Sequence, residues 1–330
     1  QRYSIASLIS GQSIKKRVIN FKSSIDLFNL QRLESHLANL KSPRWPFCKN
    51  ATSGEYYLPE SPSDLPVDQR ACKGDDVRFD QDMLRRGQRI YAERCQSCHD
   101  VIDRDAWDRL IISKFTGIDN KQSTDKAMAK NSVLYTGKSG NFSNVYQASG
   151  GGQVVVREDA PVAQILTATT RGVVATPDAD KWWPRRFVEW IYSLFMTFAE
   201  TPIQPSVKAG NYIPDTSALP YSSLLSYRAR SLNGIWATAP YLHNGSVPTL
   251  YDLLLPATPK GDKCPDARPT TFLVGAREFD PVAVGFKSTN YDGFEFDTRL
   301  RGNRNIGHEY GACGLTPAAR LDLIEYLKSL

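Results

Sequence analysis

Histidine and methionine are scarce in this chain: four and three among 330 residues, beside six cysteines. A metal site therefore has few ligands to draw on, and each can be weighed by name. Blocks of like charge are missing too. The net charge of +6 comes from 41 basic and 35 acidic side chains scattered along the chain, with no Lys/Arg arm and no acidic tail, which argues against nucleic acid as a partner. No apolar run is long enough for a bilayer. The most apolar stretch, Trp182 to Phe198, is broken by Arg185, Arg186 and Glu189, and what remains falls short of the roughly 20 residues a span needs. It is expected as a buried or interfacial helix. Gln1 is followed by neither a basic n-region nor an apolar h-region, which implies a signal already removed or a piece of a longer precursor. Length and a hydrophobic fraction of 41% allow one large domain or two smaller ones with a sizeable core.

Against that scarcity, "RIYAERCQSCHDVID" gathers two cysteines and a histidine. Cys95, Cys98 and His99 fit C-x-x-C-H, the spacing that attaches c-type haem. Two thiols add to the two haem vinyl groups, and the adjacent histidine supplies an imidazole to the iron. A thioredoxin-like site would need a surrounding βαβ pattern, and a zinc site a second close Cys or His pair; the sequence has neither. Upstream, Met83, Leu84, Gly87, Ile90 and Tyr91 fall on one face at helical spacing. At the far end, "LTPAARLDLIEYLKSL" predicts a second helix capped by Thr316 with Pro317 in its first turn and an apolar stripe of Leu323, Ile324, Leu327 and Leu330. The stretch "KAMAKNSVLYTGKSGNFSNVYQASGGGQVVV", rich in Gly, Ser, Asn and Lys, reads as surface loop.

This pairing of helices around the motif resembles the c-type cytochromes, in which Gly87 would let the helices cross closely and Tyr91 would pack at the crossing. The resemblance implies a mainly α fold: a cytochrome c-type helical haem domain with long loop insertions. A further segment, "RARSLNGIWATAPYLHNGSVPTLYDLLLP", resembles the APY-x-H-x-G-x-x-x-T-L signature of bacterial dihaem cytochrome c peroxidases and the related methylamine-utilisation and rubber-oxygenase proteins. The order of haem motif, signature, "RPTTFLVGAREFDPVAVGF", "GNRNIGHEYG" and closing helix resembles the latex-degrading rubber oxygenases and related dihaem fatty-acid dioxygenases, over Leu30 to Leu330. Those families carry two haem motifs and this chain has one. Leu33, Leu37 and Leu40 repeat the spacing of Leu323, Leu327 and Leu330. Residues 1–47 are therefore expected to be the terminal helix and linker of a preceding cytochrome unit, missing or haem-free, and residues 48–330 the haem domain with its insertions. The competing view makes residues 1–47 an N-terminal helix of this same domain.

For the sixth position at the iron the candidates are His308, His243, Met83, Met128, Met196 and His36. Met83 precedes the motif on its own helix, Met128 falls in a polar loop, Met196 in an apolar helix, and His36 on the early helix. The resemblance places His243 in the pocket without ligating iron, and His308 where those families put their distal ligand: Met or Tyr in the peroxidases, His in the C-terminal haem of the rubber oxygenases. The bland reading of His308 is a loop histidine satisfied by Glu309. Bis-His ligation by His99 and His308 implies a low-spin, low-potential haem that transfers electrons, with a redox partner or an N-terminal dihaem half as its counterpart. The alternative function is a self-sufficient peroxidase or dioxygenase with an open iron in this chain.

Four cysteines remain. Order along the chain favours Cys48–Cys72 and Cys264–Cys313, against free buried thiols. Haem c attachment and disulfides together imply a periplasmic or secreted protein. Asp292, Glu295 and Asp297 are a weak calcium candidate, as their spacing matches no EF-hand. Trp107, Trp182, Trp183 and Trp190 are candidate relays to a second haem or plain packing residues, and Arg228, Arg230 and Arg277 are candidate partners for haem propionates.

Overall fold

The computed structural model describes residues 26–38, 40–60, 65–103, 114–144, 146–149, 152–175, 182–185, 187–188, 191, 225–262 and 264–330. Helices account for 32% of these residues and strands for about 15%. The mainly α expectation is therefore corrected to a mixed fold, in which six two-stranded antiparallel ribbons accompany the helices. Strands of two to four residues are too short to show a period-2 pattern in sequence, and several are built from Gly, Ser and Gln. The supposed surface loop at 126–156 illustrates this. It holds the helix Ala127–Leu134, the strand Thr136–Lys138 and the ribbon of Tyr146–Ser149 with Gly152–Val155.

Among the described residues, the chain forms two units, one drawn from 26–40 and 129–225, the other from 41–128 and 226–330. The first has a small core of Phe142, Val156, Ala160 and Ala168. Its helix Leu27–Ala38 leaves Leu30, Leu33, Leu37 and His36 exposed. Trp182, Trp183, Phe187, Val188 and Ile191 are also exposed. Met196 and Trp190 lie outside the described residues, as does Trp107.

The second unit is organised by two helices. The motif helix, Gln81–Arg94, is capped by Asp80, whose carboxylate accepts from the amides of Asp82 and Met83 at 3.1 and 3.0 Å. The closing helix, Pro317–Ser329, is capped by Thr316, whose hydroxyl oxygen accepts from the Ala319 amide at 3.1 Å. These are the ends that sequence predicts for the closing helix. Its environment is different from expectation, because more than a stripe is buried. Arg320, Asp322, Glu325 and Lys328 are each at most 8% exposed. Buried charges need partners. Asp322 accepts from Arg86 in a bidentate pair at 2.8 and 2.9 Å. Lys328 donates to Glu325 at 3.1 Å and to the Tyr56 hydroxyl at 2.9 Å, beneath Trp45. Trp45 and Phe47 belong to this unit's core, together with Tyr91, Tyr241, Leu250 and the closing-helix leucines.

The two helices cross at Gly87. A Cβ there would lie 2.0 Å from the Asp322 carbonyl oxygen and 2.9 Å from Tyr326 Cβ, and the rings of Tyr91 and Tyr326 meet 5.1 Å apart just beyond. In an open helix, Gly→Ala stabilises by about 1 kcal/mol. Here the new methyl strikes backbone, which cannot rotate away, and overpacking of this kind costs roughly 1–3 kcal/mol or more. Gly87→Ala is thus expected to lower stability by about 2 kcal/mol, a drop of roughly 4–8 °C in thermal midpoint for a unit of this size. A midpoint unchanged or raised in calorimetry contradicts the close crossing.

Candidate haem site

The motif grows directly out of its helix. Beyond Arg94 the chain keeps turning: the Cys95 amide donates to the Tyr91 carbonyl at 2.8 Å, and the His99 amide to the Cys95 carbonyl at 2.8 Å. The Tyr91 hydroxyl donates to the His99 carbonyl at 2.5 Å, fixing the far end of that turn to the helix crossing. Cys95, Cys98 and His99 consequently line one wall of a cavity of about 420 Å³, whose other walls include Tyr241, Leu250, Leu254, Leu323, Leu327, His243 and His308. Neither motif cysteine takes part in a disulfide. Burial raises the Cys95 thiol to about 11.

His99 and His308 both line the cavity, their ring centroids 6.1 Å apart and their planes at 62°. Nδ1 of His99 pairs with the Arg230 carbonyl at 2.6 Å. A carbonyl can only accept, so Nδ1 carries the proton and Nε2 is left with a lone pair. Burial first, then His99 and Arg268, push the His308 imidazole down to about 4, which keeps it neutral near pH 7. Glu309 is turned elsewhere: its carboxylate is paired with Lys260 and accepts from the Ala257 amide at 3.2 Å. The bland reading of His308 as a partner of Glu309 is therefore wrong.

His243 also lines the cavity, but both its nitrogens are engaged. The Tyr227 hydroxyl donates to the Asp125 carbonyl at 2.7 Å, so its oxygen is free to accept from His243 Nε2 at 3.1 Å. Nδ1 then accepts from the Thr124 hydroxyl at 3.0 Å. Burial keeps the ring below the usual histidine range. It is a tie between two stretches of wall, and no lone pair is left for a metal.

Two unpaired thiols on one turn, an imidazole beside them with its Nε2 bare, and a second neutral imidazole opposite form a donor set that fits a haem c in an apolar cavity. Arg228, Arg230 and Arg94 line the cavity, whereas Arg277 is exposed and away from it. Met83 is half-buried on the motif helix, and Met128 is exposed; neither lines the cavity. Among the described residues no cluster of three or more His, Cys, Asp or Glu could hold a metal ion. Of the acidic trio considered for calcium, Asp297 is paired with Arg299. The disulfides are Cys48–Cys72 and Cys264–Cys313. Several residues were not read from sequence: Tyr227, Thr124 and Gln122 of the wall, and Arg268 behind the turn that carries His308. None lies in a motif, and a main-chain acceptor such as the Arg230 carbonyl leaves no sequence signal at all.

Residues 226–261 match the family described as RoxA-like, cytochrome c-like. The match supports a RoxA-like cytochrome c. It falls on the cavity wall, covering Tyr227, Arg230, His243 and Leu250, and it supports haem c as the cofactor. The chain is similar to the uncharacterized protein y4iJ of Sinorhizobium fredii, 30% identical over 267 residues, which cover 76% of this chain and 39% of that protein. It is also similar to the uncharacterized protein y4iM of the same organism, 34% identical over 149 residues, 38% of this chain and 32% of y4iM. The chain thus spans between about a third and two fifths of the length of these curated relatives.

Proposed function

We propose that this chain is an extracytoplasmic electron-transfer cytochrome that holds one haem c. Cys95 and Cys98 would form its thioethers, and His99 and His308 would supply imidazole nitrogens to its iron. The observation that carries this reading is the pair of imidazoles with ring centroids 6.1 Å apart, beside two cysteines that take part in no disulfide. Haem c held between two histidines supplies one-electron transfer at low potential. The chain's own part is to orient His99 through the Arg230 carbonyl, to present a neutral His308, and to keep water out with Leu250, Leu254, Leu323 and Leu327. An open-iron peroxidase or oxygenase is the weaker reading, because His308 fills the position such chemistry needs vacant. Two disulfides support an oxidising compartment. No helix among the described residues is long and apolar enough to cross a membrane. A further proposal rests on the resemblance to the dihaem proteins alone: the haem would relay electrons to a second haem unit that carries the oxygen or peroxide chemistry.

The mass of the denatured chain tests attachment. It is expected to exceed the sequence mass by one haem, and haem that leaves on acid–acetone extraction refutes the thioethers.

A further inference from the structure

The turn that carries His308 is one that a chain does not adopt unaided. Gly307, His308, Tyr310 and Gly311 all have positive φ, at 74°, 52°, 27° and 79°. Gly307 has no alternative, because a Cβ there would lie 2.1 Å from the Ser123 carbonyl oxygen. Non-glycine residues in this region persist only where their surroundings over-determine them.

Two side chains supply that determination from opposite sides. Arg268 is 2% exposed. Its Nη1 donates to the carbonyls of Asn305 at 2.5 Å and Gly307 at 2.8 Å, and its Nη2 to the carbonyls of His308 at 3.1 Å and Leu253 at 3.0 Å. Gln122 holds the other edge. Its backbone carbonyl accepts from the His308 amide at 2.8 Å, and its side-chain Oε1 accepts from the amides of Glu309 at 3.1 Å and Tyr310 at 3.4 Å. A guanidinium is suited to this task because its fork of donors is planar and fixed, so one side chain can bind several carbonyls at set angles. Lysine offers a charge of the same sign but no such fork.

We propose that Arg268 and Gln122 are positioning residues that hold the strained 305–311 turn so that the His308 imidazole stays over the iron. The inference rests on the bis-His reading above. It goes beyond it by assigning the rigidity of the distal turn to two residues that bind its main chain and are not themselves proposed as ligands.

The test compares Gln122→Ala, Arg268→Lys and His308→Ala in the haem-loaded protein, with absorption spectra, cyanide titration and amide exchange as readouts. Supporting residues around a metal ligand typically change affinity about 10- to 100-fold. Cyanide affinity is expected to rise by about that much in both positioning variants. A high-spin fraction should appear at temperatures where the closing helix is still protected from exchange. Amides of Glu309 and Tyr310 should exchange faster in Gln122→Ala. A buried Arg268 that serves only overall stability would lower the midpoint without changing the spectrum of the folded protein. If Arg268→Lys does not fold, Gln122→Ala decides, since it removes no buried charge. Wild-type spectra and cyanide affinity in the positioning variants, beside a ligand-binding His308→Ala, overturn the inference and leave the ligation standing. A spectrally silent His308→Ala sinks both.

Discussion

His308→Ala is expected to convert a low-spin haem that ignores external ligands into one that binds cyanide or carbon monoxide, and added imidazole should restore the low-spin spectrum. The substitution removes the second imidazole facing His99 and leaves a space bounded by apolar wall. His243→Ala is expected to leave the haem low-spin, because both nitrogens of His243 are bonded to Thr124 and Tyr227. The loss there should appear as wall stability instead. The reverse pattern, a silent His308 and a responsive His243, moves the ligand to His243 and discards the family-like alignment of the last 30 or so residues.

Replacing Cys264 and Cys313 by serine is the second change with a large effect. The bridge closes a span of 49 residues, for which chain-entropy models give about 4 kcal/mol of stabilisation. Cys48–Cys72 closes 24 residues and by the same relation contributes about 3 kcal/mol. In bulk stability the two are near equals, so stability alone cannot tell their roles apart. Their positions can. Cys313 lies five residues after His308, and Cys264 is followed within four residues by Arg268. Opening this bridge frees both ends of the assembly that grips the distal turn. A high-spin fraction is therefore expected to grow on mild heating of the Cys264/Cys313 variant, and not in the Cys48/Cys72 variant at matched distance below its midpoint. Equal spectral behaviour of the two up to global unfolding assigns the bridge to stability only.

The attachment motif and its two helices were legible because their signals are local. C-x-x-C-H is contiguous, Thr316 and Pro317 mark a helix start, and Gly87 with Tyr91 sits at a recognisable spacing. The cysteine pairs followed chain order. The strands were not legible, since ribbons such as Phe115–Gly117 with Ser226–Arg228 join segments over a hundred residues apart, and neither strand is long enough to show alternation. Surrounding the closing helix with partners on nearly every side was equally hidden: an L-I-x-Y-L stripe predicts one buried face, and the burial of Asp322, Glu325 and Lys328 depends on Arg86, Tyr56 and Trp45, which come from elsewhere in the chain. Arg268 and Gln122 escaped for the same reason. Their work is done on main-chain groups of a turn about 40 and 190 residues away, and no periodicity encodes it.

The acceptor for His99 is the carbonyl of Arg230, a main-chain atom held in place as the Ala229 amide donates to the Lys114 carbonyl at 2.8 Å. An acceptor of this kind belongs to the backbone, so every residue type brings it to position 230. The Arg230 side chain, at the cavity rim, is thereby free to drift in charge and size while the tautomer of His99 stays the same. The orientation of the His99 imidazole is inherited from the path of the chain, whereas the turn under His308 also depends on the Arg268 and Gln122 side chains. A substitution at position 230 should therefore leave the His99 tautomer as it is, whereas a substitution at Arg268 or Gln122 should change how His308 is held.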